Sequence, residues 1–216
     1  MRTLAILPVK SFPRAKERLR PGLSPELRRG LAEAMFADVL AALTRTEAID
    51  AIYVVSAGES AREIAEAQGA RIMKDSELGH NAAASLGVKA ALETGAERVV
   101  LVPGDCPALD PEELDGLLAR PADPPFVVIV PDRHGTGTNA LLLRPPDAIE
   151  PAFGPGSCER HLRLAQEAGI GAEVVEVPSL AIDIDTPEDL EALEGLAAAD
   201  TAARTRELLA TLAQRC

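Results

Sequence analysis

Aromatic residues are scarce in this chain of 216 residues, which contains four Phe, one Tyr and no Trp. Proteins that bind single-stranded nucleic acid use aromatic side chains as stacking platforms for the bases. Basic residues are also in the minority, because 22 Lys and Arg stand against 34 Asp and Glu and leave a net charge of −12. Binding to a phosphate backbone requires a positively charged surface. Both features predict that the protein has no nucleic-acid partner.

Cysteines and long apolar runs are scarce as well. The three cysteines are too few and too widely spaced for a disulfide framework or a metal-binding CxxC pair, which favours a cytoplasmic, reducing location; they are Cys106, Cys158 and Cys216. The longest apolar runs fall far short of the roughly 20 residues of a membrane span; they are Val99–Pro103, Phe126–Pro131 and Ala140–Leu143. The N-terminal apolar segment is also too short for a signal peptide. We therefore expect a cytoplasmic protein with no membrane partner.

A content of 47% hydrophobic and 26% charged residues is typical of a folded protein, and the length favours a single domain over residues 1–216. Apolar periodicity predicts strands at Thr3–Val9, Ile52–Ser56, Ala70–Met73, Arg98–Pro103, Phe126–Val130, Asn139–Leu143, Glu173–Val177 and Ala181–Ile184. Helices are predicted after Ser24, over Ser60–Gln68, over Asn81–Thr94, after a capping box at Asp110–Glu113, over Ser157–Ala168, after Thr186 and over Arg204–Ala213. The alternation predicts an α/β fold with a mostly parallel sheet and helices on both faces.

A basic loop follows the first predicted strand. Five of the eleven residues in Lys10–Arg20 are basic and one is acidic, although the chain as a whole is acidic. In a mostly parallel sheet ligands bind at the carboxyl ends of the strands. The loop is therefore either an anion-binding site or a basic surface loop in contact with solvent.

Two acidic segments also follow predicted strands. Asp105 comes directly after a buried apolar strand, where a carboxylate is well placed to bind magnesium together with substrate phosphates. Asp183 and Asp185 share one side of an extended segment, so that their charges repel unless a cation lies between them. The alternatives are that Asp105 is a turn residue and that Asp185 or Thr186 only caps the next helix.

Two glycine-rich stretches, Gly135–Asn139 and Phe153–His161, contain the hydroxyl groups of Thr138 and Ser157. Ser157 is predicted to begin a helix, where free N–H groups attract anions. Together the stretches indicate a phosphate or carboxylate clamp, although each alone is more typical of a plain turn. The three histidines have no ligand spacing and no nucleophile motif, so we assign them no catalytic role.

Three segments resemble one family. They are LPVKSFPRAKERL, the DxDTPxDL run and GTGTNALLLRPPDAIEPAFGPGSCERHLRLAQEAG. The family is the guanylyltransferases that make the phosphodiester precursor of the deazaflavin coenzyme F-420, and the resemblance extends from Leu4 to about Leu193. It implies a nucleotidyltransferase fold, which is Rossmann-like and shared with nucleotide-diphospho-sugar transferases. It also implies transfer of GMP from GTP to a phosphorylated three-carbon acid, with release of pyrophosphate.

The resemblance also implies an acceptor site and a metal site. Asp105 would hold magnesium together with Asp183 or Asp185. The acceptor is phosphoenolpyruvate in many bacterial members, and 2-phospho-L-lactate or 3-phosphoglycerate in others. Its binding residues would be Thr138, Gly154 and Ser157.

On the nucleotide side, the resemblance implies that Lys16 contacts the GTP phosphates and that Asn81 lies near the base and ribose. Lys10 and Arg14 would add positive charge, and we expect Lys16 to face solvent or ligand from its loop. Lys16 and Asp105 are the predicted catalytic residues. No general base is needed, because the attacking phosphate oxygen is already an anion at neutral pH.

Three other functions fit parts of the sequence. A molybdenum-cofactor guanylyltransferase would carry a glycine-rich loop after the first strand, yet no glycine precedes Gly22. A glycosyltransferase would have its DxD motif in mid-chain, and here the motif lies at Asp183–Asp185. A non-enzymatic nucleotide-binding regulator would bind GTP without releasing pyrophosphate. The sequence is compatible with a homo-oligomer.

Overall fold

A computed structural model describes residues 1–12, 16–19, 23–75, 78–120, 123–195 and 201–213. Arg14 and Cys216 lie outside the described residues. Within these ranges, no helix combines the length and the apolar character that crossing a membrane requires.

Seven strands form one sheet. They are β1 (Thr3–Pro8), β2 (Ala51–Ser56), β3 (Arg71–Lys74), β4 (Arg98–Leu101), β5 (Phe126–Pro131), β6 (Thr138–Arg144) and β7 (Gly171–Val174). Their order across the sheet is β3-β2-β1-β4-β6-β5-β7. Strand β6 is antiparallel to β4 and β5, and the other pairings are parallel. The sheet is therefore mostly parallel, as the sequence predicts.

Helices cover both faces of the sheet. They are α1 (Pro25–Arg45), α2 (Glu59–Ala67), α3 (His80–Glu93), α4 (Pro111–Leu118), α5 (Ser157–Glu167), α6 (Pro187–Gly195) and α7 (Ala203–Ala213). Helices α3 and α5 pack on one face, and the other five contribute to the core on the opposite face.

Strands β1, β4, β5 and β6 are buried on both sides, which explains their continuous apolar runs. In β1, Ala5 and Leu7 belong to one core, whereas Leu4 and Ile6 belong to the other. Successive side chains of a strand point to opposite faces, so an apolar run of this kind supplies both cores at once.

Two of the predicted helix starts differ in how they are capped. The side chain of Asp110 accepts hydrogen bonds from the N–H groups of Glu112 and Glu113, as expected. The Glu113 carboxylate does not complete a capping box, because it accepts from the N–H of Ser179 at 2.9 Å instead. At α6 the reciprocal pair does form. The N–H of Thr186 donates to Asp189 at 2.7 Å, and the N–H of Asp189 donates to the Thr186 hydroxyl at 3.4 Å.

The predicted strand Ala181–Ile184 is wrong, because this segment pairs with loops and not with the sheet. The carbonyl of Ala181 accepts from the N–H of Arg133 at 2.8 Å, and the N–H of Ile184 donates to the carbonyl of Asp105 at 3.0 Å. Its isoleucines are buried in the core without strand pairing. The predicted strand Glu173–Val177 also begins two residues earlier, as β7.

Helix α3 lies unusually close to the sheet at Gly87. A Cβ atom at this position would collide with Cγ2 of Ile6 and would lie 3.4 Å from Cγ2 of Val55. The absence of a side chain therefore sets the distance between α3 and strands β1 and β2, which carry one wall of the site described below.

We predict that Gly87→Ala destabilises the protein and that Gly116→Ala does not. Both glycines lie inside helices, where alanine gains about 1 kcal/mol in helix propensity. At Gly87 overpacking costs about 1–3 kcal/mol, and because the added Cβ collides with a methyl group of the stiff Ile6 side chain we expect a cost above that gain. At Gly116 no atom lies within 4 Å of the added Cβ, so the gain remains. Denaturant unfolding of both variants measures the difference, and equal effects would contradict the close approach at Gly87.

Candidate active site

Two adjoining cavities open at the edge of the sheet where β1 and β4 end. The large cavity has a volume of about 650 Å³ and the small cavity about 290 Å³. The residues that line both of them are Pro8, Lys10, His80, Pro103 and Asp105. Asp105 is therefore the carboxylate that both cavities share, at the position after β4 where the sequence predicts a functional acid.

A buried lysine bridges two of the predicted acids. Lys16 Nζ lies 2.6 Å from Oδ2 of Asp105 and 2.9 Å from Oδ1 of Asp185. Burial disfavours the charged lysine, but the two carboxylates outweigh it and raise the pKa of Lys16 well above its ordinary value. The lysine is therefore a fixed positive charge at the mouth of the large cavity.

Of the two surroundings expected for Lys16, solvent is excluded, since its side chain is only 7% exposed, and the large cavity that it lines is left for a ligand. A buried ion pair replaces solvent as its environment. The structure does bring Lys16, Asp105 and Asp185 together, although their positions in the chain are far apart.

Asp183 occupies a different environment from Asp185. Its carboxylate lines the small cavity and accepts a hydrogen bond from Asn139 Nδ2 at 3.2 Å. Burial first, and then the negative charge of Asp105, raise the pKa of Asp183. In the described parts of the chain, no Lys or Arg lies within ion-pair distance of Asp183, whereas Asp185 pairs with Lys16 and Arg18.

The acidic cluster fits a magnesium ion. Asp105 and Asp183 offer carboxylate oxygens, which are the ligands that magnesium prefers. A cation between them would relieve the repulsion that raises the pKa of Asp183. Among the described residues, no group of three or more His, Cys, Asp or Glu side chains forms a complete metal site.

Two of the predicted acceptor-binding residues line the small cavity. Thr138 lies at the start of β6, and Gly154 lies in the loop before α5 with a φ of +117° that favours glycine. Ser157 lies behind them, 1% exposed, and its hydroxyl donates to Thr138 Oγ1 at 3.0 Å. The three residues therefore meet at one wall of the cavity.

Two of the free N–H groups expected at the start of α5 are not free. The N–H of Ser157 donates to the carbonyl of Gly154 at 3.0 Å, and the N–H of Cys158 donates to the carbonyl of Thr136 at 3.1 Å. These bonds form because Gly156 turns the chain with a left-handed φ of 70° just before the helix. The polar group offered to the small cavity at this wall is the Thr138 hydroxyl.

Asn81 lies near the cavities but does not line them. Its side-chain oxygen accepts from the N–H of Phe153 at 2.8 Å, and its Nδ2 donates to the carbonyl of Phe153 at 3.2 Å. These two bonds tie the start of α3 to the loop before α5. Lys10 by contrast is exposed and lines both cavities. Nucleotide binding by Asn81 stays a prediction.

Sequence reasoning missed a row of three rings, two of which, His80 and Phe153, line the small cavity. The rings of His80 and Phe153 are 5.2 Å apart, and those of Phe153 and His161 are 5.3 Å apart, both edge to face. Burial lowers the pKa of His80, so its ring favours the neutral form. The only signal in the sequence was position, because each ring lies within or next to a segment assigned to the site.

Comparisons with known proteins show which family this chain resembles. A family model described as "Guanylyl transferase CofC like" matches residues 3–213. A phosphoenolpyruvate guanylyltransferase of Conexibacter woesei is 52% identical over 97% of this chain and 96% of its own length. A 2-phospho-L-lactate guanylyltransferase of Methanothermobacter thermautotrophicus is 39% identical over 88% of this chain and 83% of its own. A 3-phospho-D-glycerate guanylyltransferase of Colwellia psychrerythraea is 37% identical over 89% of this chain and 91% of its own length.

Solved structures share the fold. A protein of Desulfovibrio desulfuricans G20 described as a nucleotide-diphospho-sugar transferase has a TM-score of 0.75 and 18% identity, over 99% of this chain and 98% of its own. A nucleotidyl transferase of Methanothermobacter has a TM-score of 0.62 and 21% identity, over 90% of this chain and 96% of its own. The predicted nucleotidyltransferase fold is confirmed.

The family model covers nearly the whole chain, and the curated relatives match it over most of their length. The predicted resemblance is therefore confirmed, and the chain belongs to the guanylyl transferase CofC-like family, whose members are nucleotidyltransferases.

Proposed function

We propose that the protein transfers GMP from GTP to phosphoenolpyruvate and releases pyrophosphate, as a step in making the deazaflavin coenzyme F-420. The observation that supports this proposal is that Asp105 lines both cavities, where one carboxylate could serve two substrates at once. The choice of acceptor follows the relative with 52% identity, since relatives named for other acids are 37–39% identical.

The large cavity suits the nucleotide and the small cavity suits the acid. A volume of about 650 Å³ is within the range of cofactor-sized sites, and Lys10 and Lys16 place positive charge beside it. The small cavity, at about 290 Å³, has the size and the hydroxyl group expected for a three-carbon acid. Lys10 lines both, so it can contact the phosphates of both substrates.

In the proposed reaction a phosphate oxygen of the acceptor attacks the α-phosphorus of GTP. A new oxygen–phosphorus bond forms, the bond to the β-phosphate oxygen breaks, and pyrophosphate leaves with that oxygen. Thr138 orients the acceptor, while Lys10 and Lys16 offset the charge of the triphosphate. The residues of the chain therefore act by positioning and by charge stabilisation, without proton transfer.

Asp105 and Asp183 would hold the magnesium ion, and Asp185 would keep Lys16 in place. This division follows from the ion pairs, because Asp185 already has two cationic partners and Asp183 has none among the described residues. Magnesium, when bound, supplies positive charge to the phosphates of GTP.

Pyrophosphate release tests the proposal and separates it from its alternatives. GTP is offered with phosphoenolpyruvate, 2-phospho-L-lactate or 3-phosphoglycerate in parallel, and ATP replaces GTP as a control. We expect release that requires one of the acids, is fastest with phosphoenolpyruvate and is much slower with ATP. Binding of GTP without release under every condition would indicate a nucleotide-binding regulator.

Asp105→Asn should keep the fold and reduce turnover at least about 100-fold, since a bound metal contributes several kcal/mol of charge stabilisation. Asp185→Asn is the matched control, because each variant removes one of the two ion pairs of Lys16. We expect the control to retain more activity, and melting temperatures check both folds. Near wild-type turnover of Asp105→Asn at saturating magnesium would make Asp105 only a turn residue.

Lys16→Ala should lower kcat/KM for GTP about 10- to 150-fold, the equivalent of one charge-assisted contact of roughly 1.5–3 kcal/mol. Lys89→Ala removes the same charge from the exposed side of α3 and should change nothing. Steady-state kinetics with varied GTP gives both values. An unchanged kcat/KM in Lys16→Ala would show that another residue of the basic loop contacts the phosphates.

Ser157→Ala should weaken acceptor binding by roughly 1–2 kcal/mol, because Thr138 loses one hydrogen-bond partner. The KM for GTP should stay the same. Gly156 and not Ser157 occupies the capping position of α5, so no loss of helix capping is expected. A rise in the GTP KM without a rise in the acceptor KM would show that this wall does not bind the acceptor.

A further inference from the structure

Three side chains form a hydrogen-bonded network that ends at the small cavity. His161 Nδ1 lies 3.1 Å from Thr138 Oγ1, and the Ser157 hydroxyl donates to that same oxygen at 3.0 Å. His161 is completely buried, whereas Thr138 lines the cavity. The network therefore connects His161, which is too deeply buried to contact a substrate, to the Thr138 hydroxyl group, which can contact one.

The backbone determines which nitrogen of His161 carries the proton. The N–H of Ala152 donates to His161 Nε2 at 2.9 Å, and a backbone N–H can only donate. Nε2 must therefore be unprotonated. Burial, with a smaller contribution from Arg160, lowers the pKa of His161 to about 4, so the ring is neutral at neutral pH. The single ring proton is then on Nδ1, which donates to Thr138.

This tautomer determines which hydrogen-bonding groups of Thr138 are already used. Thr138 Oγ1 accepts from His161 and from Ser157, so both of its lone pairs are used. With the Ser157 hydroxyl as the donor of their shared bond, no other acceptor for the Thr138 hydroxyl hydrogen is found among the described residues, which leaves that hydrogen for a ligand in the cavity. In the opposite tautomer Nδ1 would accept this hydrogen, and nothing would be left to donate.

We propose that His161 is a positioning residue that keeps the hydroxyl hydrogen of Thr138 directed at the phosphate of the acceptor. The proposal rests on the proposed function, which places the acceptor in the small cavity. Phe153 contributes by packing edge to face against the imidazole, which fixes the plane of the ring. The proposal thus assigns a role to His161, the last residue of the FGPGSCERH segment.

Two substitutions separate the two hydrogen bonds of His161. Asparagine places its amide nitrogen near the position of Nδ1, so His161→Asn keeps a donor for Thr138 and loses the acceptor for Ala152. Glutamine reaches the position of Nε2, so His161→Gln keeps the acceptor and loses the donor. We expect His161→Gln to raise the acceptor KM about tenfold, as for one lost hydrogen bond, and His161→Asn to change it less than about threefold.

A double-substitution cycle with Thr138→Val tests whether His161 acts through Thr138. In the Thr138→Val background, His161→Gln should raise the acceptor KM no further, because the hydroxyl group that it orients is gone. The GTP KM should stay within about twofold of wild type in every variant. The proposal would be overturned if the effects of His161→Gln and Thr138→Val on the acceptor KM were fully additive, or if the Gln and Asn variants of His161 had equal effects. His161 would then be a packing residue.

Nitrogen NMR of the wild-type protein gives a test that needs no variant. The imidazole of His161 should show a protonated Nδ1 and an unprotonated Nε2 at neutral pH, and the opposite tautomer would overturn the proposal. Failure of the proposed function is distinguishable, because the wild-type protein would then release no pyrophosphate from GTP with any of the three acids.

Discussion

The site depends on one electrostatic constraint, which is that three carboxylates lie together at one edge of the sheet. Lys16 satisfies two of them, with Nζ within 2.9 Å of both Asp105 and Asp185. Asp183 remains without a cationic partner among the described residues, and its pKa is raised. Burial raises that pKa first, and repulsion by Asp105 adds to it. In the proposed function, a magnesium ion bound between the two carboxylates would relieve this repulsion.

The direction of strand β6 brings the second half of the site to this edge. Because β6 is antiparallel to β4, its first residue lies near the carboxyl end of β4, where Leu101 pairs with Leu141. Thr138 therefore lies on the same side of the sheet as Asp105, and both line the small cavity. A parallel β6 would have carried Thr138 to the opposite edge. The loop before α5 then closes the cavity from the side of α3, through the contacts of Asn81 with Phe153.

Local patterns predicted the elements well, because apolar runs and capping residues act within a few positions of the chain. They predicted the mostly parallel sheet and placed Asp105 after its strand. They failed at Ala181–Ile184, where buried isoleucines resemble a strand although the backbone bonds to loops. They also missed the burial of Lys16 and the use of the α5 N–H groups by Gly154 and Thr136. The two carboxylates that bind Lys16 lie far from it in the sequence, and no local pattern contains them. The bond of Ser157 to Gly154 is local, but it depends on the left-handed turn at Gly156. His161 was set aside because it lacks ligand spacing and a nucleophile motif, and its bond to Ala152 is visible only in the structure.

The central claim is that the acceptor phosphate attacks the α-phosphorus of GTP where the two cavities meet. The most direct measurement uses phosphoenolpyruvate with isotopically labelled oxygen in its phosphate group, followed by mass spectrometry of both products. The account predicts that all of the label stays in the guanylylated product, that one labelled oxygen bridges the two phosphorus atoms, and that pyrophosphate is unlabelled. Label in pyrophosphate, or GDP in place of pyrophosphate, would contradict it.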